Sequence, residues 1–338
     1  MRALDSHLHL WDPTVLDYRW LTGPLQSRFG AEELADARAV DGDEGAVFVQ
    51  AECVEEQFLD EARWVSSNAA RTGVHGIVAG ARLDRGPETS EHLSALSAVP
   101  LVVGVRHLLQ DEPDGLATTP AFLAGAEQAA DRDWSFDACV RAHQLPDVTA
   151  LAAALPQLRV VLDHLGKPAV GTASVLLRPS PTWVRDIRAL AAHPGVSCKL
   201  SGLPAEAGGA WDAGQVTPFL DAVADAFGPD RLLWGSDWPV SAIGPADRPA
   251  IGHTIRPASG SASAIGQADA GDGVHGTSTP RESTPRDSAP RDSADHGSAY
   301  RSGERGAWAR TVATWAEERG YDTDAILWRN AVRVYRLG

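Results

Sequence analysis

The chain has no excess of basic residues, no Cys-x-x-Cys pair, no Gly-x-Ser-x-Gly and no apolar run long enough to cross a bilayer. Each absence removes a class of function. Lys and Arg number 30 against 45 Asp and Glu, a formal net charge of −15. Nucleic acid and anionic membrane both need clustered basic side chains, so neither is an expected partner. A transmembrane helix takes about 20 consecutive apolar residues, and no such run occurs. Cys53, Cys139 and Cys198 are odd in number and widely spaced. They form neither a disulfide framework nor a cysteine zinc site and are expected to be small buried thiols in a reducing compartment. Residues 1–11 carry one Arg and enter a strand pattern directly, without the apolar core of a signal peptide, so the expected location is the cytoplasm. The missing Gly-x-Ser-x-Gly argues against a serine nucleophile elbow. No glycine-rich phosphate loop follows an apolar segment with its usual partner residues.

What is present is an alternation. Eight short apolar segments lie at roughly 3–8, 46–51, 76–81, 101–106, 134–140, 159–163, 196–200 and 231–235, rich in β-branched residues or bounded by Gly, Asp and Pro. They are apolar on both faces, as strands of a buried parallel sheet are. Helical patterns separate them. Phe58, Ala62, Val65 and Ala69 follow the helical period, as do Val148, Leu151, Leu155 and Leu158. Thr119-Pro120 and Thr217-Pro218 each read as an N-cap followed by proline at the first helical position. Phe219, Val223 and Phe227 form the buried stripe after the second, and Gly228-Pro229 stops it. Strand and helix alternating eight times predict an α/β fold, a distorted (β/α)8 or TIM barrel, with a doubly wound open sheet as the alternative.

Residues 244–306 break the pattern. They are nearly free of large apolar side chains and carry an imperfect five-residue repeat, Ser278–Glu282, Ser283–Asp287 and Ser288–Asp292. Such a segment cannot bury enough surface to offset its ordering entropy, which predicts a disordered low-complexity insertion after the eighth strand. The domain expectation is therefore a barrel over 1–243, the insertion over 244–306, and closing helices over 307–338, where Trp308, Val312 and Trp315 make one stripe and Ile326, Leu327, Asn330 and Val334 another.

Candidate chemistry sits at strand ends, which in a parallel barrel converge on one face. His7-Leu8-His9 closes the first segment; side chains alternate with period two, so both rings point the same way and reach one metal ion or one substrate oxygen. Asp163-His164 closes the sixth, with His164 a third ligand or a group that polarises a carbonyl. Asp237, in Gly235-Ser236-Asp237-Trp238-Pro239, closes the eighth, where a carboxylate binds metal or takes a proton from water and returns it to a leaving group. Arg106 and His107 end the fourth; an arginine at the mouth suits a carboxylate, a carbonyl oxygen or a hydroxylated substrate, with a structural salt bridge as the alternative. Gln50 and Glu52 after the second segment, Lys199 in the seventh and Trp238 are candidate substrate contacts. Each of the first three has an alternative place in a buried polar layer, while Trp11, Trp20 and Trp238 either wall a sugar-like ligand or belong to the core.

Together, Asp5–Trp11, Gly104–His107, Leu162–Pro168, Lys199–Gly202 and Trp234–Pro239 resemble the amidohydrolase superfamily, in its amidohydrolase-related branch (amidohydrolase family 2), and within it the sugar-lactone hydrolases of the L-fuconolactonase type. Asn330–Tyr335 is similar to that family's last helix. The resemblance covers most of 3–243 and 307–337. It implies a site at the strand carboxyl ends built on His7, His9, His164 and Asp237. It admits one divalent ion, zinc or manganese, held by His7, His9 and Asp237, and also admits none. Dinuclear members use histidines after both the fifth and sixth strands; here the fifth segment, Trp134 to Val140, reaches no histidine until His143, so a two-metal centre is not expected.

The activity implied is hydrolysis of a sugar-derived lactone. Asp237 would activate water, with His164, Arg106 or the metal stabilising the oxyanion. A metal-dependent decarboxylase of an aromatic or unsaturated acid is the alternative chemistry, and a non-catalytic barrel that binds a sugar acid is the alternative of another class. The expected partner is a small molecule; oligomeric state is not addressed by these residues.

Overall fold

The computed structural model describes residues 1–172, 174–207, 211–243 and 303–338. Eight parallel strands follow the predicted segments: β1 (Ala3–Leu8), β2 (Glu44–Val49), β3 (Val74–Gly80), β4 (Val102–Arg106), β5 (Ser135–Ala138), β6 (Arg159–Leu162), β7 (Val196–Leu200) and β8 (Leu232–Trp234). They pair in chain order from β1 to β8 in one sheet. This is the predicted barrel, and its distortion lies in the seam. β1 and β8 share a single bridge, Leu8 with Trp238, rather than a ladder. Side chains close the remainder: Ser6 Oγ donates to Trp234 O at 2.7 Å and Ser236 N to Asp5 Oδ1 at 2.8 Å.

Helices cover the outside through an apolar layer. Phe58–Thr72 buries Ala62, Val65 and Ala69, as its period requires, together with Glu61. Thr119 caps Pro120–Asp131, its side chain accepting from Phe122 N. The second predicted cap is corrected. Helix Ala213–Phe227 starts four residues before Thr217 because Asp212 accepts from Gln215 N at 2.9 Å and nucleates the turn first; Pro218 then lies inside the helix. Gly228, in positive φ, ends it. A short hairpin, Gly171–Thr172 with Val175–Leu176, decorates the β6–β7 connection.

The predicted insertion lies largely outside the described residues, but its far boundary shifts. The next helix, Glu304–Glu318, begins before Gly306 because Arg305 is anchored. The Arg305 guanidinium donates to Asp5 Oδ2 at 2.9 Å, Glu44 Oε2 at 2.8 Å and Ala37 O at 3.2 Å. Trp308 Nε1 reaches Leu200 O and Gly235 O, both at 3.1 Å, so this helix seals the β7–β8–β1 seam. The last helix, Asn330–Tyr335, plugs the barrel from below, packing Ala331, Val334 and Tyr335 against the inward-facing Leu4, Val47, Val49, Val78, Val161 and Leu233. All three cysteines are buried free thiols. Among the described residues no helix is long and apolar enough to cross a membrane.

Candidate active site

Three strand ends deliver the central residues, and one does so through an irregularity. Leu4 faces the interior, and strict alternation from it would turn His7 outward. The β1–β2 register slips between Asp5 and Leu8, and Leu8 joins the outer core instead. A slip of this kind re-aims side chains, and here it turns His7, two residues from His9 and on the same face, toward the interior. After β6 the chain turns tightly through Asp163–Gly166 with His164 at φ 52°; after β8, Asp237 sits at φ 56°. Left-handed non-glycine residues persist where their surroundings hold them, commonly at functional sites. Two glycines leave the room required. A Cβ on Gly202 would lie 2.4 Å from His164 Nδ1, and one on Gly235 would lie 2.8 Å from His7 Cβ.

The Asp237 carboxylate faces three imidazoles. Its Oδ1 is 3.5 Å from His9 Nε2, 3.8 Å from His164 Nε2 and 3.9 Å from His7 Nε2. Ser241 Oγ donates to Oδ2 at 2.8 Å. Behind the rings, His9 Nδ1 lies 2.8 Å from Val49 O, His7 Nδ1 3.1 Å from Asp163 Oδ1, and His164 Nδ1 3.0 Å from Ser201 Oγ. Burial, reinforced by the Lys199 charge, holds His7 well below the usual histidine range, and burial lowers His164 to about 4, so both are neutral near pH 7. Against its own burial, Asp237 is held far below the ordinary carboxylate range by His164 and its neighbouring imidazoles, so it stays ionised.

The donor set fits one divalent ion. Val49 O only accepts, so His9 Nδ1 carries the proton and Nε2 presents a lone pair; His7 Nδ1 faces the Asp163 carboxylate and the Lys199 ammonium, each at 3.1 Å. This backing is typical of metal-ligating histidines. The two Nε2 atoms stand 3.2 Å apart with Asp237 Oδ1 close to both. Ligand nitrogens at about 2.0–2.1 Å on a tetrahedral zinc lie about 3.3 Å from each other, so these donors are spaced for a shared cation.

Above them opens a cavity of about 270 Å³. His9, Glu52, Arg106, His164 and Asp237 line it, with Trp20. His7 lies beneath, fully buried. Four other sequence candidates are not on its wall. His107 follows the inward Arg106 and must face the other way; it stacks on Phe122, and its Nδ1 accepts from Leu83 N at 3.3 Å. Gln50 is buried and braces Glu52, its amide donating to that carboxylate while its Oε1 accepts from Glu52 N at 2.6 Å. Trp238 turns its ring against Phe29 and joins the seam through its carbonyl, which accepts from His9 N at 2.9 Å. Lys199 lies below the imidazoles, in the buried-layer position left open for it, 2.5 Å from Asp137 Oδ2 and 3.0 Å from Asp163 Oδ1. His143 stands at the surface beside Asp114.

Sequence reasoning missed the wall residues Gln110, Cys139, Lys167 and Glu206, and missed Asp137 and Tyr335 below. One signal was available. Among 30 basic residues only Lys167 and Lys199 are lysines, and one lines the cavity while the other underlies the histidines. A chain that uses arginine everywhere else keeps the compact ammonium at these two places.

Residues 4–253 match the family model described as amidohydrolase. An L-fucono-1,5-lactonase of Burkholderia ambifaria is 34% identical over 244 residues, covering 71% of this chain and 81% of its own. An L-fucono-1,5-lactonase of Burkholderia multivorans is 34% identical over 247 residues, covering 70% and 82%. A crystal structure of an amidohydrolase from Burkholderia multivorans with bound zinc superposes with a TM-score of 0.71 at 27% identity, covering 100% of both chains.

Proposed function

We propose that this chain, which belongs to the amidohydrolase family, is a hydrolase that opens a sugar-derived lactone. The observation that carries the reading is the ionised Asp237 carboxylate among three imidazoles at the floor of the cavity. The relatives named as lactonases supply the bond type, and the hydroxyl-compatible wall of Glu52, Arg106, Gln110 and Lys167 supports a polyhydroxylated ring. The lactonase-named relatives also disfavour the decarboxylase alternative, and the complete histidine–aspartate set disfavours a non-catalytic barrel.

In the mechanism Asp237 takes a proton from water as the oxygen attacks the lactone carbonyl. His164, held through Nδ1 at 3.0 Å from Ser201 Oγ, turns Nε2 toward the cavity, and Arg106 adds fixed positive charge, both placed to stabilise the oxyanion. The tetrahedral carbon then expels the ring oxygen, to which Asp237 returns the proton; no covalent enzyme intermediate forms. A divalent ion held by His7, His9 and Asp237, zinc or manganese, would supply Lewis acidity. The substrate is a small molecule, and the buried free thiols suit a cytoplasmic protein.

Ring opening releases a proton near neutral pH, so a pH-indicator screen over aldonolactones tests the class directly. On the lactone turned over, Asp237→Asn is expected to lower kcat by about 10²–10⁴-fold, the range for a lost general base. Wild-type turnover by that variant rejects the assignment.

A further inference from the structure

The last helix contributes more than packing. Tyr335 rises from the apolar plug into the barrel, and its hydroxyl donates to Asp137 Oδ2 at 2.7 Å. Ser135 Oγ holds the other carboxylate oxygen at 3.1 Å. Asp137 Oδ2 also takes Lys199 Nζ at 2.5 Å, and the same ammonium lies 3.0 Å from Asp163 Oδ1 and 3.1 Å from His7 Nδ1. Tyr335, Asp137, Lys199, Asp163 and His7 are all essentially inaccessible to solvent. The Arg106 guanidinium, 3.6 Å from Asp163 Oδ2, completes the charge balance of two cations and two anions.

His7 Nδ1 has two rival neighbours. If it donates to Asp163, Nε2 turns a lone pair toward His9 and Asp237. If it accepts from Lys199, Nε2 carries the proton and the converging lone pairs are lost. Asp137 decides between them by drawing the ammonium toward itself, and the Tyr335 and Ser135 hydroxyls fix Asp137 in the geometry that does so. We propose that Tyr335 is a positioning residue for the site, acting through Asp137 and Lys199 to keep His7 protonated on Nδ1. The barrel floor is thereby coupled to the ring whose Nε2 faces Asp237. The inference rests on the hydrolase reading for the kinetic part of its test and stands apart from it elsewhere.

The test compares full-length wild type, Tyr335→Phe and Val334→Ala. The first variant removes one hydroxyl; the second trims the same plug without touching the polar line. Long-range proton–nitrogen spectra of histidine-labelled protein are expected to show His7 protonated on Nδ1 in the wild type and in Val334→Ala, and a tautomer mixture in Tyr335→Phe. Zinc affinity, measured by competition with a chelating dye, is expected to fall about tenfold in Tyr335→Phe, the lower end for loss of a supporting shell. On a lactone that turns over, kcat is expected to fall about tenfold with KM within about twofold, because none of Tyr335, Asp137 and Lys199 touches the cavity. Val334→Ala is expected to lower the melting temperature and leave kcat unchanged. The proposal is overturned if the His7 signals of wild type and Tyr335→Phe coincide, if wild-type His7 carries its proton on Nε2, or if Val334→Ala loses as much kcat as Tyr335→Phe. Should no lactone be hydrolysed, the spectra and zinc titration still decide it, while the function proposed above fails separately.

Discussion

Replacing Glu61 by Gln should remove a penalty that alkali imposes on this protein. Glu61 lies on the helix that follows β2, fully buried, with Oε1 accepting from Ala51 N at 3.1 Å. Burial lifts its carboxyl from 4.5 to about 7. A carboxyl with a raised folded-state pKa binds its proton more tightly when folded. Its favourable contribution is complete below about pH 4.5 and is lost as pH rises through 7. The shift is 7 − 4.5 = 2.5 units, and at 1.36 kcal/mol per unit it amounts to about 3 kcal/mol. Gln keeps the acceptor for Ala51 N and cannot ionise. His7 and His164, both depressed, act in the opposite sense: their contribution is present above the unfolded histidine value and fades as pH falls below it. The informative quantity is therefore the difference between variant and wild type, in which the histidines cancel. Urea unfolding at pH 5 and pH 8.5 should show Glu61→Gln gaining about 2–3 kcal/mol on wild type between the two. A difference that does not change with pH refutes the reasoning. The effect bears on function because Ala51, whose amide Glu61 holds, lies on the cavity wall beside Glu52.

Three further outcomes follow from the geometry. Arg305→Met strands the buried Asp5 and should cost about 3–5 kcal/mol in urea unfolding, the usual penalty for breaking a buried pair; a loss under about 1 kcal/mol would show that the seam does not depend on it. Gly202→Ala pushes a methyl against His164 and adds strain at φ 69°, so kcat should drop about 10²-fold while circular dichroism stays unchanged; full activity would mean that the ring need not sit beside Ser201. Dialysis against a chelator should lower turnover and the melting temperature together, and added zinc should restore both, since a ligand bound to the folded state alone stabilises it; unchanged values for both would remove the ion from His7, His9 and Asp237.

The strands were legible because each is a short apolar run with its own boundaries, and the central quartet because His7, His9, His164 and Asp237 occupy those runs' ends. What stayed hidden depends on parity and on distance. Arg106 and His107 are adjacent, so only one can face the cavity, and the sequence alone does not say which. The slip within β1 that turns His7 inward leaves no local mark, since it arises from pairing with β2. Asp137 carries no motif of its own in β5; its meaning comes from Lys199 and Tyr335, 62 and 198 positions away. The start of helix Ala213–Phe227 was misplaced because Thr-Pro is a strong cap signal, yet Asp212 offered a competing one upstream.

The seam between β1 and β8 also orders events at the ribosome. Arg305 and Trp308, which hold the edges together, and Tyr335, which reaches the floor, are translated after every strand has been made. A nascent chain that has emerged as far as Asp237 thus carries all four central side chains but still lacks the Arg305, Trp308 and Tyr335 contacts that clasp the seam and brace the floor.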